Sequence, residues 1–296
     1  MARKRSTRKS PIRKVPKAAA AKRSHPASAT DTVPLYQVDA FTARLFHGNP
    51  AGVVPLEKWL PDPVMQAIAA ENNLAETAFF VKDKPKGGTP RYHLRWFTPT
   101  IEVDLCGHAT LAAAHVLWNH LGLKGSKVAF KSKSGELSVA RRGDLIELDF
   151  PARPGTPVRV TDRICAAMGC APVEAYKARD LLLIFDNRRE VYELNPDPVA
   201  VAALDCFGVI ATAPGSGHDF VSRFFVPKAG IAEDPATGSS HCTLVPYWAA
   251  RLKKKNVTGH QVSRRSGEMF CELRGKRVGI AGRAVTYLRG TIVVPG

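Results

Sequence analysis

Apolar and polar residues alternate along Leu35-Tyr36-Gln37-Val38-Asp39-Ala40-Phe41, the two-residue period of a half-buried strand. Gly48-Asn49-Pro50-Ala51-Gly52 follows with turn chemistry, and Val53-Val54 resumes a strand. Pro61-Asp62-Pro63 opens a predicted helix through about Glu71. Val64, Met65, Ile68 and Ala69 fall on one of its faces, and Pro63 suits its first turn. Glu76-Thr77-Ala78-Phe79-Phe80-Val81 reads as the next strand.

The remaining pattern repeats. Arg95-Trp96-Phe97-Thr98-Pro99 returns as Arg223-Phe224-Phe225-Val226-Pro227. Gly107-His108, opening the apolar run from Ala109 to Leu121, returns as Gly238-Ser239, opening a run to Leu252. Ser134-Gly135-Glu136 and Arg142-Gly143 return as Ser266-Gly267-Glu268 and Arg274-Gly275. Collinear matches at a nearly constant offset point to duplication of one unit: a strand, a loop, a buried helix and then a β-meander. Hairpin turns in the meanders predict antiparallel pairing.

Leu111, Ala112, Ala113, Ala114, Val116, Leu117 and Leu121 surround the first helix on nearly all sides, as a helix enclosed by a sheet requires; a surface helix would show one stripe. The second, with Leu244, Val245, Tyr247, Trp248 and Leu252, is similar, and Pro246 is expected to kink it or perturb its first turns. The predicted fold class is α+β: two pseudo-repeated antiparallel β-barrel-like domains, each around a central buried helix, with an active site between them. Their expected bounds are 34–152, completed by a C-terminal strand at about 284–296, and 153–283.

Charge adds a third segment. The chain of 296 residues carries 43 Lys and Arg against 26 Asp and Glu, a net +17, but residues 1–33 hold ten of the bases and a single acid, Asp31. This stretch has no aromatic residue and no amphipathic period, so it is expected to be a disordered basic tail. A nucleic-acid-binding arm and an organellar targeting peptide are its sharper readings, a solvated extension its plainer one. No apolar run reaches the roughly 18–20 residues of a membrane span. Cys106, Cys165, Cys170, Cys206, Cys242 and Cys271 form no CxxC, and read as reduced thiols of a cytoplasmic protein.

Helices starting at Gly107 and Gly238 each offer free backbone N–H groups at the positive end of the dipole, with no Cβ in the way. Facing each other, they would make a cleft for a carboxylate and for negative charge developing in a reaction. The motifs around them, Asn49-Pro50-Ala51, Asn73-Leu74-Ala75-Glu76-Thr77-Ala78-Phe79, Phe97-Thr98-Pro99 with Cys106-Gly107-His108-Ala109-Thr110, and Glu233-Asp234-Pro235-Ala236-Thr237-Gly238-Ser239, resemble the PhzF-like isomerases of phenazine biosynthesis, which share the diaminopimelate epimerase-like fold. The resemblance runs from about Leu35 to the C-terminus. It implies a cofactor-independent isomerase or epimerase, as a homodimer, moving a proton at carbon of a small carboxylate-bearing substrate. It places the principal acid/base at Glu76, assigns Asp234 and His108 to the catalytic set, and gives Gly107, Gly238 and Ser239 to substrate binding. Ala75 departs from the family's usual serine.

These roles make chemical sense independently. A carboxylate beside Leu74 and Phe79 in a closed cleft is expected to have its pKa raised by desolvation, and an imidazole at a helix N-terminus to stay neutral. Asp234 would hold the histidine tautomer or a substrate hydroxyl or amine. Cys106 precedes a glycine as the catalytic cysteines of diaminopimelate epimerases do, but Cys242 lies inside the second helix, so a two-thiol racemase is disfavoured. His115, His120 and His241 take structural readings. A metal site from Cys106, His108, His241 and Cys242 is rejected, and no phosphate loop supports a nucleotide cofactor. The rival readings are a non-catalytic ligand-binding protein and a nucleic-acid binder acting through the tail.

Overall fold

The computed structural model describes residues 31–295. Expectations for residues 1–30, including the nucleic-acid arm, lie outside the described residues. Asp31, Thr32 and Val33, expected to belong to the disordered tail, are in a strand, paired with Val294, Val293 and Ile292. The basic composition of that segment hid the pairing, which a partner some 260 residues away supplies.

The first half of the chain forms β1 (Asp31–Ala40), β2 (Asn49–Leu56), α1 (Asp62–Asn72), β3 (Glu76–Lys86), β4 (Thr89–Phe97), β5 (Glu102–Val103), α2 (Gly107–Asn119), β6 (Lys127–Ser132), β7 (Gly135–Arg142) and β8 (Leu145–Pro151). The second forms β9 (Thr156–Val158), α3 (Asp162–Met168), β10 (Glu174–Lys177), β11 (Leu181–Ile184), α4 (Arg188–Glu193), α5 (Pro198–Ala202), β12 (Val209–Pro214), β13 (Phe220–Phe225), β14 (Glu233–Asp234), α6 (Gly238–Leu252), β15 (Asn256–Gln261), β16 (Gly267–Arg274), β17 (Arg277–Gly282) and β18 (Ala284–Val294). The class is α+β, with a large mixed sheet and few helices.

The strand pairings of the two halves correspond step by step, from β1–β2 and β10–β11 to β7–β8 and β16–β17. Purely antiparallel pairing was expected, yet four pairs are parallel: β2 with β3, β11 with β12, β4 with β6, and β13 with β15. Each parallel pair is joined by a connection that contains a helix, the crossover that parallel pairing requires and that hairpin signals do not report. The chain then crosses between halves. β9, following the first meander, pairs with β10, and β18, following the second, pairs with β1; β8 and β17 pair with each other.

The repeated Arg-aromatic-Phe strings are scaffold. Arg95 on β4 makes a bidentate pair with Glu102 on β5 (2.8 and 2.9 Å) and lies over Phe97. Arg223 on β13 does the same with Glu233 on β14 (2.8 and 2.8 Å) and lies over Phe225. These forks fix the short strands that lead into α2 and α6.

Every residue of α2 from His108 to Trp118 is buried. In α6, Pro246 stays inside a continuous helix. The carbonyl it deprives of a partner, that of Cys242, accepts instead from the N–H of Arg153 (2.8 Å) in the connection that follows β8, so the cost expected of an interior proline is offset by that hydrogen bond. No helix among the described residues is long and apolar enough to cross a membrane.

Candidate active site

Four elements converge. β3 begins at Glu76, α2 at Gly107, β14 ends at Asp234, and α6 begins at Gly238. A Cβ placed on Gly107 would stand 3.8 Å from the Gly238 Cα, so the two helix starts abut, and a side chain there would fill the space between them. Beneath them Phe41, fully buried and at φ +63°, closes the floor against Gly238 and Gly282.

His108, the second residue of α2, places Nε2 3.1 Å from Glu76 Oε2, off the line of a good hydrogen bond, so that oxygen is left without an aligned donor. The Cys106 Sγ is 3.5 Å from His108 Nδ1. Asn49 Nδ2 donates to Asp234 Oδ1 (2.8 Å) and to the Ala236 carbonyl (3.0 Å), and lies 3.2 Å from His108 Nδ1. Asn49, from the first half, thus holds the Asp234–Ala236 segment of the second, and Asp234 meets this amide rather than the histidine it was expected to hold. Thr237 donates its hydroxyl to Asp234 Oδ2. Ser239, at the start of α6, accepts from Arg179 Nη2 at 3.4 Å.

The electrostatics reverse two expectations. Burial pushes the Glu76 carboxyl up, but the His108 imidazolium outweighs it and holds the pKa below its ordinary value. Burial likewise pushes His108 down, but Cys106 and Glu76 beside it carry its pKa well above the ordinary value. Because burial and then Glu76 push the Cys106 thiol up to about 11, Glu76 is the anion that acts on His108 at neutral pH. Burial is the largest single influence on each group, but the charged and hydrogen-bonding neighbours at contact distance together exceed it. Asp234 is raised by burial, against the His108 charge and the Thr237 and Asn49 donors.

Among the described residues, Glu76, Cys106 and His108 are the one cluster whose metal-capable atoms all lie within 4.8 Å of one another. Metal binding there would have to displace the protons of His108 and Cys106. His241 turns its Nδ1 to the Thr237 carbonyl (2.8 Å), and its pKa is pushed down to about 4 by burial, so it does not join Cys106 and His108. His115 and His120 meet the Thr286 hydroxyl on β18 (2.9 and 2.7 Å), ties between α2 and the last strand.

Sequence reasoning gave no role to Asn49, Thr237 or Gln261. Asn49 and Thr237 lie inside the Asn49-Pro50-Ala51 and Glu233–Ser239 motifs, but an Asn in a Gly-Asn-Pro turn is explained by turn geometry alone. Gln261 at the end of a strand carries no local signal at all.

The model of the PhzC-PhzF family, described as phenazine biosynthesis-like protein, matches residues 38–290. The chain belongs to that family. An uncharacterized isomerase of Pseudomonas aeruginosa is 47% identical over 87% of this chain and 98% of its own. The crystal structure of a PhzF-family protein from Enterococcus faecalis superposes with a TM-score of 0.85 at 46% identity, covering 88% of this chain and 99% of that one. A hydroxyproline epimerase from Agrobacterium vitis, at 11% identity and a TM-score of 0.58, covering 88% of this chain and 92% of its own, shares the fold.

Proposed function

We propose that this chain is an isomerase or epimerase that moves a proton at a carbon of a small carboxylate-bearing metabolite bound where the two helix starts meet. The observation that carries the reading is the pair of half-buried Glu76 with buried His108 at the start of α2, set against Asp234 and the start of α6. Named relatives with isomerase or epimerase in their descriptions support the same reaction class.

Glu76 rests ionised because His108 is protonated beside it, so the base is ready at neutral pH. It takes the proton from carbon and can return it as the acid. The imidazolium and the N–H groups at the two helix starts lie where negative charge develops, and they are fixed in advance of the reaction. Asp234 orients substrate or the Asn49 amide. The chemistry uses no cofactor, since base, acid and charge stabiliser are all side chains or backbone of the chain. We read the two matching runs of strands as two barrel-like units, each around its own buried helix, with this site at their seam; the step-by-step match of their pairings supports it.

The test is solvent-deuterium incorporation into a panel of small α-substituted carboxylates, followed by proton NMR. Wild-type protein labels at least one of them, and Glu76→Gln labels it about 10²–10⁴-fold more slowly with an unchanged circular-dichroism spectrum. Undiminished labelling by Glu76→Gln removes Glu76 as the base.

A further inference from the structure

We propose that Gln261 is a positioning residue that sets the charge of Asp234 through the Thr237 hydroxyl. The inference rests on the proposed place of Asp234 in the site. Gln261 is the last residue of β15 and wholly buried. Its side-chain amide makes three hydrogen bonds, all to the Asp234–Thr237 segment: Nε2 donates to the Asp234 carbonyl (2.7 Å) and to Thr237 Oγ1 (3.1 Å), and Oε1 accepts from the Thr237 N–H (2.8 Å). A carbonyl on one side and an N–H on the other allow one orientation of the amide.

That orientation fixes a direction. With a Gln261 N–H bound at its oxygen, the Thr237 hydroxyl keeps a single hydrogen, and it goes to Asp234 Oδ2. Asn49 supplies the donor to Oδ1, so the carboxylate has a donor on each oxygen. Donors to the charged form favour it, and they act here against burial. The other charged groups facing Asp234 are His108, which favours its charge, and Glu76, which opposes it. Without the Gln261 donor, the Thr237 oxygen is held less firmly, and its hydroxyl binds Oδ2 less tightly.

The test is a pH titration of the Asp234 carboxyl carbon by NMR in the full chain labelled with ¹³C-aspartate, the signal assigned by its loss in Asp234→Asn. Gln261→Met, close in volume but without donor or acceptor, is expected to move the midpoint up by about one pH unit. Thr237→Val, which keeps Gln261 and the backbone bond, is expected to move it in the same direction. Because neither variant adds charge, a shift reads the lost donor. A midpoint unmoved in Gln261→Met, or unmoved in Thr237→Val, overturns the proposal; if Gln261→Met does not fold, Thr237→Val decides. The titration needs no substrate, so failure here leaves the deuterium test of Glu76 standing, and failure of that test leaves the relay standing.

Discussion

A carboxyl and an imidazole 3.1 Å apart in a buried site can share one proton in two ways, as two neutral groups or as an ion pair. At Glu76 and His108 the charged form wins, because each group supplies the charge that the other's burial would otherwise penalise. The consequence for stability follows from linkage. Folding lowers the Glu76 pKa, so its contribution is present above the ordinary value of 4.5 and is lost as pH falls through the folded value. Folding raises the His108 pKa, so its contribution is full below 6.5 and is lost as pH rises through the raised value. The pair therefore stabilises between those limits. Thermal melts across pH are expected to show wild-type protein losing stability on the alkaline side, and Glu76→Gln, less stable at neutral pH, losing much less there. A variant curve parallel to wild type would show that the pair is not charged. The motif around Glu76 made the residue visible in the sequence. Its charge was not visible, because that depends on a histidine 32 positions away whose distance no local pattern encodes.

At the scale of the element, the glycine at the start of α2 separates stability from function. Gly107→Ala puts a methyl group at ordinary contact distance from Phe150 (3.7 Å) and from Gly238 (3.8 Å), and alanine is the better helix former. The variant is expected to melt at or above the wild-type temperature while deuterium exchange falls about 10²-fold, since the methyl occupies the approach to the backbone N–H groups. Parallel loss of stability and activity would mean that the glycine serves packing. Gly282→Ala is the contrast. Its Cβ would come within 2.5 Å of Phe41 Cδ1, and a fully buried ring in a left-handed backbone conformation has little room to move. Urea melts are expected to show a loss of roughly 1–3 kcal/mol. The helices and meanders themselves were legible, because apolar period and turn residues are local. The parallel pairs were not, because hairpin signals report neighbours in sequence and these strands meet across helices.

For the whole molecule, the duplication supplies a symmetric frame with asymmetric contents. Matching the ladders places Gly208 where the first half has Glu76, Ser239 where it has His108, and Val103 where the second half has Asp234. One half brings the Glu76–His108 pair and the other the second carboxylate. The halves are also clasped next to the site. Arg265, in a loop of the second half, pairs with Asp39 (2.8 Å) and donates to the carbonyls of Gly48 (2.9 Å) and His47 (2.9 Å), just before Asn49. Asp39 is almost completely buried, so Arg265→Ala is expected to cost about 3 kcal/mol in a urea melt and to slow exchange by loosening Asn49. A loss of only a few tenths would make the clasp an ordinary surface contact.

The chain's own pattern determined its local periods, the duplicated unit, the buried character of two helices and, through short motifs, the positions of Glu76, His108 and Asp234. These are written in residues close together along the chain, where period, turn chemistry and glycine spacing act. The tertiary structure alone decided the parallel crossings, the pairing of Asp31–Val33 with β18, the bridging by Asn49 and Gln261, and the charges on Glu76 and His108. Hydrogen bonds and pKa values are sums over whatever groups the fold brings within a few ångströms, and those groups come from the far ends of the sequence.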